Sequence, residues 1–135
     1  GNCERELEKA KEKTKNNTGL NLVLALSYSS KSEIVRAVKS IATEVSNKNI
    51  DINAIDSDLI NDYLDTAAMP NPELLVRTSG EYRLSNFLLW QIAYSELYFT
   101  NKFWPDFTKE DLFEAIVDYQ KRERRFGLTS EQIKN

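Results

Sequence analysis

PELLVRTSGEYRLSNFLLWQ, residues 72–91, holds an apolar run ending in Arg77, a polar turn with Gly80 and Arg83, and a second apolar run opened by Ser85. Residues 73–77 read as a short buried strand, and residues 85–94 as an apolar helix. In an open α/β sheet, ligands bind beyond the carboxyl ends of the strands, and Arg77 stands at such an end. Gly80 allows a tight turn. A helix beginning at Ser85 would offer free N–H groups and the positive end of its dipole to an anion. Arg77 and Arg83 can each grip a phosphate in bidentate fashion. Together these groups suit a diphosphate better than a single carboxylate. The pattern also admits a plainer arrangement, with Arg77 paired to Glu81 or Glu73, Arg83 solvated and Ser85 only a cap. Residues alone leave both open.

Outward from this turn, helices alternate with apolar segments. Residues 4–17 read as a helix with Glu6/Lys9, Glu8/Lys11 and Glu12/Lys15 as i,i+3 pairs. Residues 20–28, LNLVLALSY, are nearly all apolar and suit a strand buried on both faces. Ser32 is a plausible N-cap for a helix with Ile34, Val35, Val38, Ile41, Ala42 and Val45 as its stripe. A short helix follows at residues 57–65, then the rigid turn MPNP at 69–72. Residues 96–100 read as a third strand. Thr108 to Asp111 resembles a capping box opening a helix to about residue 124, with Leu112, Ile116 and Tyr119 inward and Gly127 as its stop.

Such alternation implies an α/β fold on a parallel sheet with helices on both faces. Three strands are few for a sheet covered on both sides. The expectation is a partial sandwich in one domain, residues 1–135, that borrows strands or lacks its amino-terminal half.

Composition narrows the chemistry. The 135 residues carry a net charge of −3, with 41% hydrophobic and 29% charged residues. There is no general basic field for nucleic acid, so an anion site must be built locally. One cysteine, Cys3, and no histidine exclude Ser-His and Cys-His nucleophiles and the usual zinc sites. A metal would be bound through oxygens, pointing to magnesium or calcium. Neither a GxxxxGK loop nor GxGxxG is present, which disfavours a generic nucleotide-binding module.

LLVRTSGEYRLSNFLLWQIAYSELYFT, with WPDF and YQKRERRFG after it and LNLVLALSYSSKSEIVRA before it, resembles the cis-prenyltransferases, in the undecaprenyl diphosphate synthase (isoprenyl transferase) branch. The likeness covers the second half of that family's fold. It implies condensation of isopentenyl diphosphate onto farnesyl diphosphate, giving a long-chain polyprenyl diphosphate. It further implies that Arg77, Arg83 and Ser85 hold the diphosphate of isopentenyl diphosphate, with backbone from Leu84 and Glu81 orienting the arginines. Glu96 would bind Mg2+. A strand starting at Glu96 lies roughly 15 Å back along a ten-residue helix, so Glu96 would serve a neighbouring subunit's site unless the strand is not parallel. Arg125 and Gly127 form the family's Arg-x-Gly ending, which implies a homodimer in which they reach across to the substrate site; without the resemblance they read as a cationic helix end and its cap. Trp90, Tyr94, Tyr98, Phe99, Phe103, Trp104 and Phe107 are expected in the core and dimer interface.

The likeness departs in two places. Residues 27–31, SYSSK, stand where many members carry asparagine, tyrosine, two glycines and arginine, stiffening the loop and replacing a fork by a point charge. The family's Asp-Gly-Asn-Gly-Arg loop, which positions magnesium on the allylic diphosphate, has no match. The chain is therefore expected to be a carboxyl-terminal part, inactive alone, of a cytoplasmic enzyme with transient contact at the inner membrane face. A non-catalytic partner subunit of a heteromeric prenyltransferase is the alternative. The intact RTSGEYRLS argues against it, because such subunits tend to lose the arginine-serine site.

Overall fold

The computed structural model describes residues 2–122. Arg125 and Gly127, with the expected helix stop, lie outside the described residues. Helix α1 (Asn2–Thr14) is followed by α2 (Ser30–Ser46), a 3-10 turn (Ile52–Ala54), α3 (Ser57–Tyr63), β1 (Leu74–Arg77), β2 (Glu96–Phe99), a second 3-10 turn (Trp104–Asp106) and α4 (Lys109–Gln120).

The strands pair in parallel, Leu74 opposite Glu96 and Arg77 opposite Phe99. Both start from one clamp, where Glu96 N–H donates to the Glu73 carbonyl at 2.9 Å and Ser95 Oγ to that of Pro72 at 2.6 Å. An α/β fold with a parallel sheet thus follows from the alternation, as expected. The described sheet has two strands rather than three. Residues 20–25 have no regular structure, and Leu20 is 92% and Leu22 78% exposed. An interior strand needs ladder partners on its edges and cover on its faces, and the described elements supply neither to this run.

Segments whose partners are local came out as expected. Lys9–Glu6 and Lys11–Glu8 pair at 2.8 Å on exposed α1, each worth a few tenths of a kcal/mol. Asp111 Oδ2 accepts from Thr108 N–H at 2.8 Å and from its hydroxyl at 3.0 Å, opening α4. Lys102 bonds the same carboxylate, and with Thr108 it holds the Asp111 carboxyl below its usual range.

Helix faces were rotated from expectation. The cap of α2 is Ser29, not Ser32, and the buried face is Ser30, Glu33, Ala37 and Ile41, leaving Val35 and Val38 half exposed. On α4 the buried residues are Asp111 and Ala115, with Leu112 and Ile116 facing out. The cap from Asp111 to Thr108 and the Asp111–Lys102 pair, whose lysine is half exposed, set that rotation. Of the aromatic cluster, Tyr94, Phe103 and Trp104 are exposed rather than core. Trp104 meets Phe107 at 5.7 Å, and Trp90 donates its indole N–H to Asn61 at 2.8 Å.

Candidate diphosphate site and family membership

Arg77 closes β1, and its carbonyl accepts from Thr100 N–H at 2.9 Å. The chain then turns through left-handed Ser79 (φ 70°) and Gly80 (φ 66°). Ser79 N–H donates to Lys102 O at 2.7 Å and Gly80 N–H to Thr100 O at 2.9 Å, so the turn is stapled to the end of β2. A side chain at Gly80 would meet Asn101 Oδ1 at 3.0 Å. Glycine is favoured here by the left-handed conformation, and a larger residue would need the Asn101 side chain to shift. The Arg77 side chain is half-buried, and its Nε is shut from solvent with no hydrogen-bond acceptor. A buried guanidinium donor without an acceptor is costly.

The stretch after the turn differs from the expected helix. Residues 85–94 form successive turns, and Ser85, Asn86 and Leu88 take positive φ of 50°, 62° and 45°. Left-handed residues cannot continue a right-handed helix. Ser85 therefore does not sit at a helix N-terminus, and no dipole from such a helix assists an anion there. Arg83 is exposed and its guanidinium pairs with Glu81, whereas the plainer reading had given Glu81 or Glu73 to Arg77 and left Arg83 solvated. Leu84 is half-buried, and its carbonyl accepts from Phe87 N–H at 3.1 Å.

Asn86, which sequence reasoning passed over, ties this stretch to α2. Its carbonyl accepts from Ser30 N–H at 3.0 Å and its Oδ1 from Lys31 N–H at 2.9 Å, while its Nδ2 donates to Ser29 Oγ at 2.8 Å. Leu89 N–H donates to Ser30 Oγ at 3.0 Å. Ser29 and Ser30 thus supply hydroxyls that fasten the loop. The one available clue was that asparagine tolerates left-handed backbone.

Beneath lies a buried polar cluster. Glu33, 1% exposed, accepts from Asp65 N–H at 2.9 Å, from Gln91 Nε2 at 3.2 Å and from the Tyr28 hydroxyl. Burial first, then the bond to Glu33, pushes the Tyr28 hydroxyl above its ordinary value. A raised folded-state value stabilises the fold below pH about 10 and is lost as the pH climbs through it. Urea midpoints are thus expected to fall more steeply above pH 10 for the natural chain than for Tyr28→Phe. Parallel alkaline limbs would show that Tyr28 ionises as freely folded as unfolded.

Glu96 opens β2, three residues and roughly 10 Å from the end where Arg77 sits. Its Oε2 accepts from Arg122 at 2.9 Å, and Arg122 also grips Asp118. Among the described residues, no group of three acidic, cysteine or histidine side chains could hold a metal. Two concavities, of about 540 and 530 Å³, lie beside Trp90 and beside Phe87, and neither has Arg77, Arg83 or Ser85 in its wall. No helix among the described residues is long and apolar enough to cross a membrane.

The Prenyltransf family model, undecaprenyl diphosphate synthase, matches residues 1–127. Isoprenyl transferases of Chlorobaculum tepidum and Clostridium tetani are 53% and 55% identical over 96% and 93% of this chain, in each case 49% of the relative. The chain thus spans about half the length of the curated relatives it matches. Among solved structures, lavandulyl diphosphate synthase of Lavandula x intermedia, in complex with dimethylallyl diphosphate, superposes with a TM-score of 0.86 at 37% identity, covering 92% of this chain and 53% of the other. A probable undecaprenyl diphosphate synthase from Campylobacter jejuni gives 0.72 at 35%, covering 91% and 55%. With nearly its whole length matched, this chain belongs to the undecaprenyl diphosphate synthase family of prenyltransferases.

Proposed function

We propose that the chain is the carboxyl-terminal part of a cis-prenyltransferase condensing isopentenyl diphosphate onto farnesyl diphosphate to make undecaprenyl diphosphate, and that it is inactive alone. Arg77, Arg83, Leu84 and Ser85 hold the isopentenyl diphosphate. The observation that carries this is the buried Arg77 Nε without an acceptor, at the carboxyl end of a parallel strand. A relative that binds an allylic diphosphate shares the fold, which supports the ligand class. Arg83 reaches the ligand by exchanging Glu81 for phosphate, a small loss for a pair this exposed.

The described residues hold and orient; they do not break bonds. Fixing the diphosphate sets the double bond for attack, and guanidiniums stabilise negative charge. Glu96 would hold Mg2+ through its carboxylate, the metal supplying charge stabilisation at the diphosphate, and would serve a site other than that of its own Arg77. Arg125 and Gly127 complete the substrate site across a homodimer. The parent works in the cytoplasm, touching the inner membrane face when product leaves.

Calorimetric titration of the full-length protein with isopentenyl diphosphate tests the site. Arg77→Ala is expected to weaken binding ~30-fold and Arg83→Ala ~10-fold, because charge-assisted bonds are worth about 1.5–3 kcal/mol. Farnesyl diphosphate affinity should hold. Undiminished isopentenyl diphosphate binding in both variants would overturn the assignment.

A further inference from the structure

Arg122 stands just past the end of α4, where its N–H donates to the Tyr119 carbonyl at 3.1 Å. Its guanidinium meets three acceptors. Nε and Nη2 donate to Asp118 Oδ2, one helical turn back, and Nη1 donates to Glu96 Oε2 and to the Leu97 carbonyl, each at 2.9 Å. The Leu97 carbonyl lies on the edge of β2 that β1 does not use. Glu96 and Thr100 turn their amides to β1, and neighbouring residues of a strand point their backbone groups to opposite edges. Asp118 and the strand's own backbone therefore fix the guanidinium without help from Glu96, and Glu96 takes its place from it.

The result is a carboxylate with one oxygen held and one open. Oε2 of Glu96 takes the Arg122 bond, Oε1 accepts no hydrogen bond among the described residues, and the side chain is 28% exposed. A carboxylate anchored through one oxygen can offer the other to a hard cation, so this group fits Mg2+ as a single-oxygen ligand. Charge agrees. Asp118 offsets the Arg122 cation, so the two carboxylates and one guanidinium together keep a net negative charge. We propose that Arg122 is a positioning residue of the metal site: bridging Asp118, the Leu97 carbonyl and Glu96, it aims the open oxygen of Glu96 at Mg2+. The inference deepens the reading of Glu96 as a metal residue and rests on it.

The probe is Mn2+, titrated into the full-length protein with farnesyl diphosphate present and isopentenyl diphosphate absent, so that nothing turns over. Electron paramagnetic resonance counts the free ion. Arg122→Ala should weaken Mn2+ binding ~30-fold, within the ~10–100-fold typical of losing a group that orients a metal ligand. The sign is diagnostic. Deleting a cation beside the site favours a bound cation by charge alone, so a loss of affinity reads lost placement. Arg122→Lys keeps the charge but not the fork and should fall between, about 5-fold down; it carries the test if the alanine variant does not fold. An arginine that only ties α4 to β2 would lower the urea midpoint and leave Mn2+ affinity level or raised, and that result would overturn the inference. Glu96→Gln separates the two layers. It should weaken Mn2+ binding at least as much as Arg122→Ala. If Glu96→Gln binds Mn2+ as the natural protein does, the metal reading of Glu96 fails and takes the inference with it. If Glu96→Gln weakens binding and neither Arg122 variant does, the positioning role alone fails.

Discussion

Glu33→Leu is expected to destabilise the folded chain by about 3–5 kcal/mol, a large part of the ~5–15 kcal/mol available to a domain. Three donors from three parts of the chain converge on this carboxylate: the Tyr28 hydroxyl, the Asp65 amide and the Gln91 side chain. Leucine fills similar space but accepts nothing, so each buried donor forfeits its partner at about 1–3 kcal/mol. Gln91 has no reserve, since its Oε1 is already buried without a donor; its Nε2 retains only Thr66 Oγ1 at 3.0 Å. Glu33→Gln should cost less, because one oxygen remains for the Asp65 amide while the new amide opposes that of Gln91. Urea unfolding followed by circular dichroism measures the series. A Glu33→Leu midpoint equal to that of the natural chain would mean the cluster is not what joins α2 to residues 65 and 91.

The sequence was most legible where partners are close. The pairing-competent runs at residues 74–77 and 96–99, the lysine–glutamate rungs of α1 and the capping box of α4 depend on contacts a few residues apart, or on alternation, and they read off directly. The site was half legible. Arg77 at a strand end and Gly80 in the turn follow from local rules. The conformation of residues 85–94 does not: their composition suits a helix, yet Asn86 is held by Ser29, Ser30 and Lys31, more than fifty residues earlier. The run at residues 20–28 shows another limit. Its apolarity states a demand for cover, and the pattern carries no information on whether the covering residues belong to the same chain. On α4, Lys102 and the cap of Thr108 turned Asp111 inward, overriding the apolar stripe that periodicity alone selects.

Asn86→Ala should cost about 2–4 kcal/mol, and the loss should reach the diphosphate site. Alanine forfeits the acceptor for Lys31 N–H and the donor to Ser29 Oγ, at roughly 1 kcal/mol each, and must hold φ 62° at a further ~1 kcal/mol. The backbone carbonyl to Ser30 survives only if the turn stays in place. Three replacements separate these contributions. Asn86→Gly removes the conformational penalty but not the lost bonds, so it should fall midway. Asn86→Asp keeps Oδ1 against Lys31 N–H, tolerates the left-handed backbone and places negative charge at the amino end of α2, where the dipole favours it; Ser29 can donate to it in place of receiving. It should lie within about 1 kcal/mol of the natural chain. Because Ser85 adjoins Asn86 and Arg83 lies three residues before it, a freed loop should also weaken isopentenyl diphosphate binding in the full-length protein, with Asn86→Asp restoring it. If alanine leaves both the urea midpoint and the titration unmoved, the loop is fixed by something other than its asparagine clamp on α2, and Arg77 would then have to grip the ligand without help from a positioned Ser85.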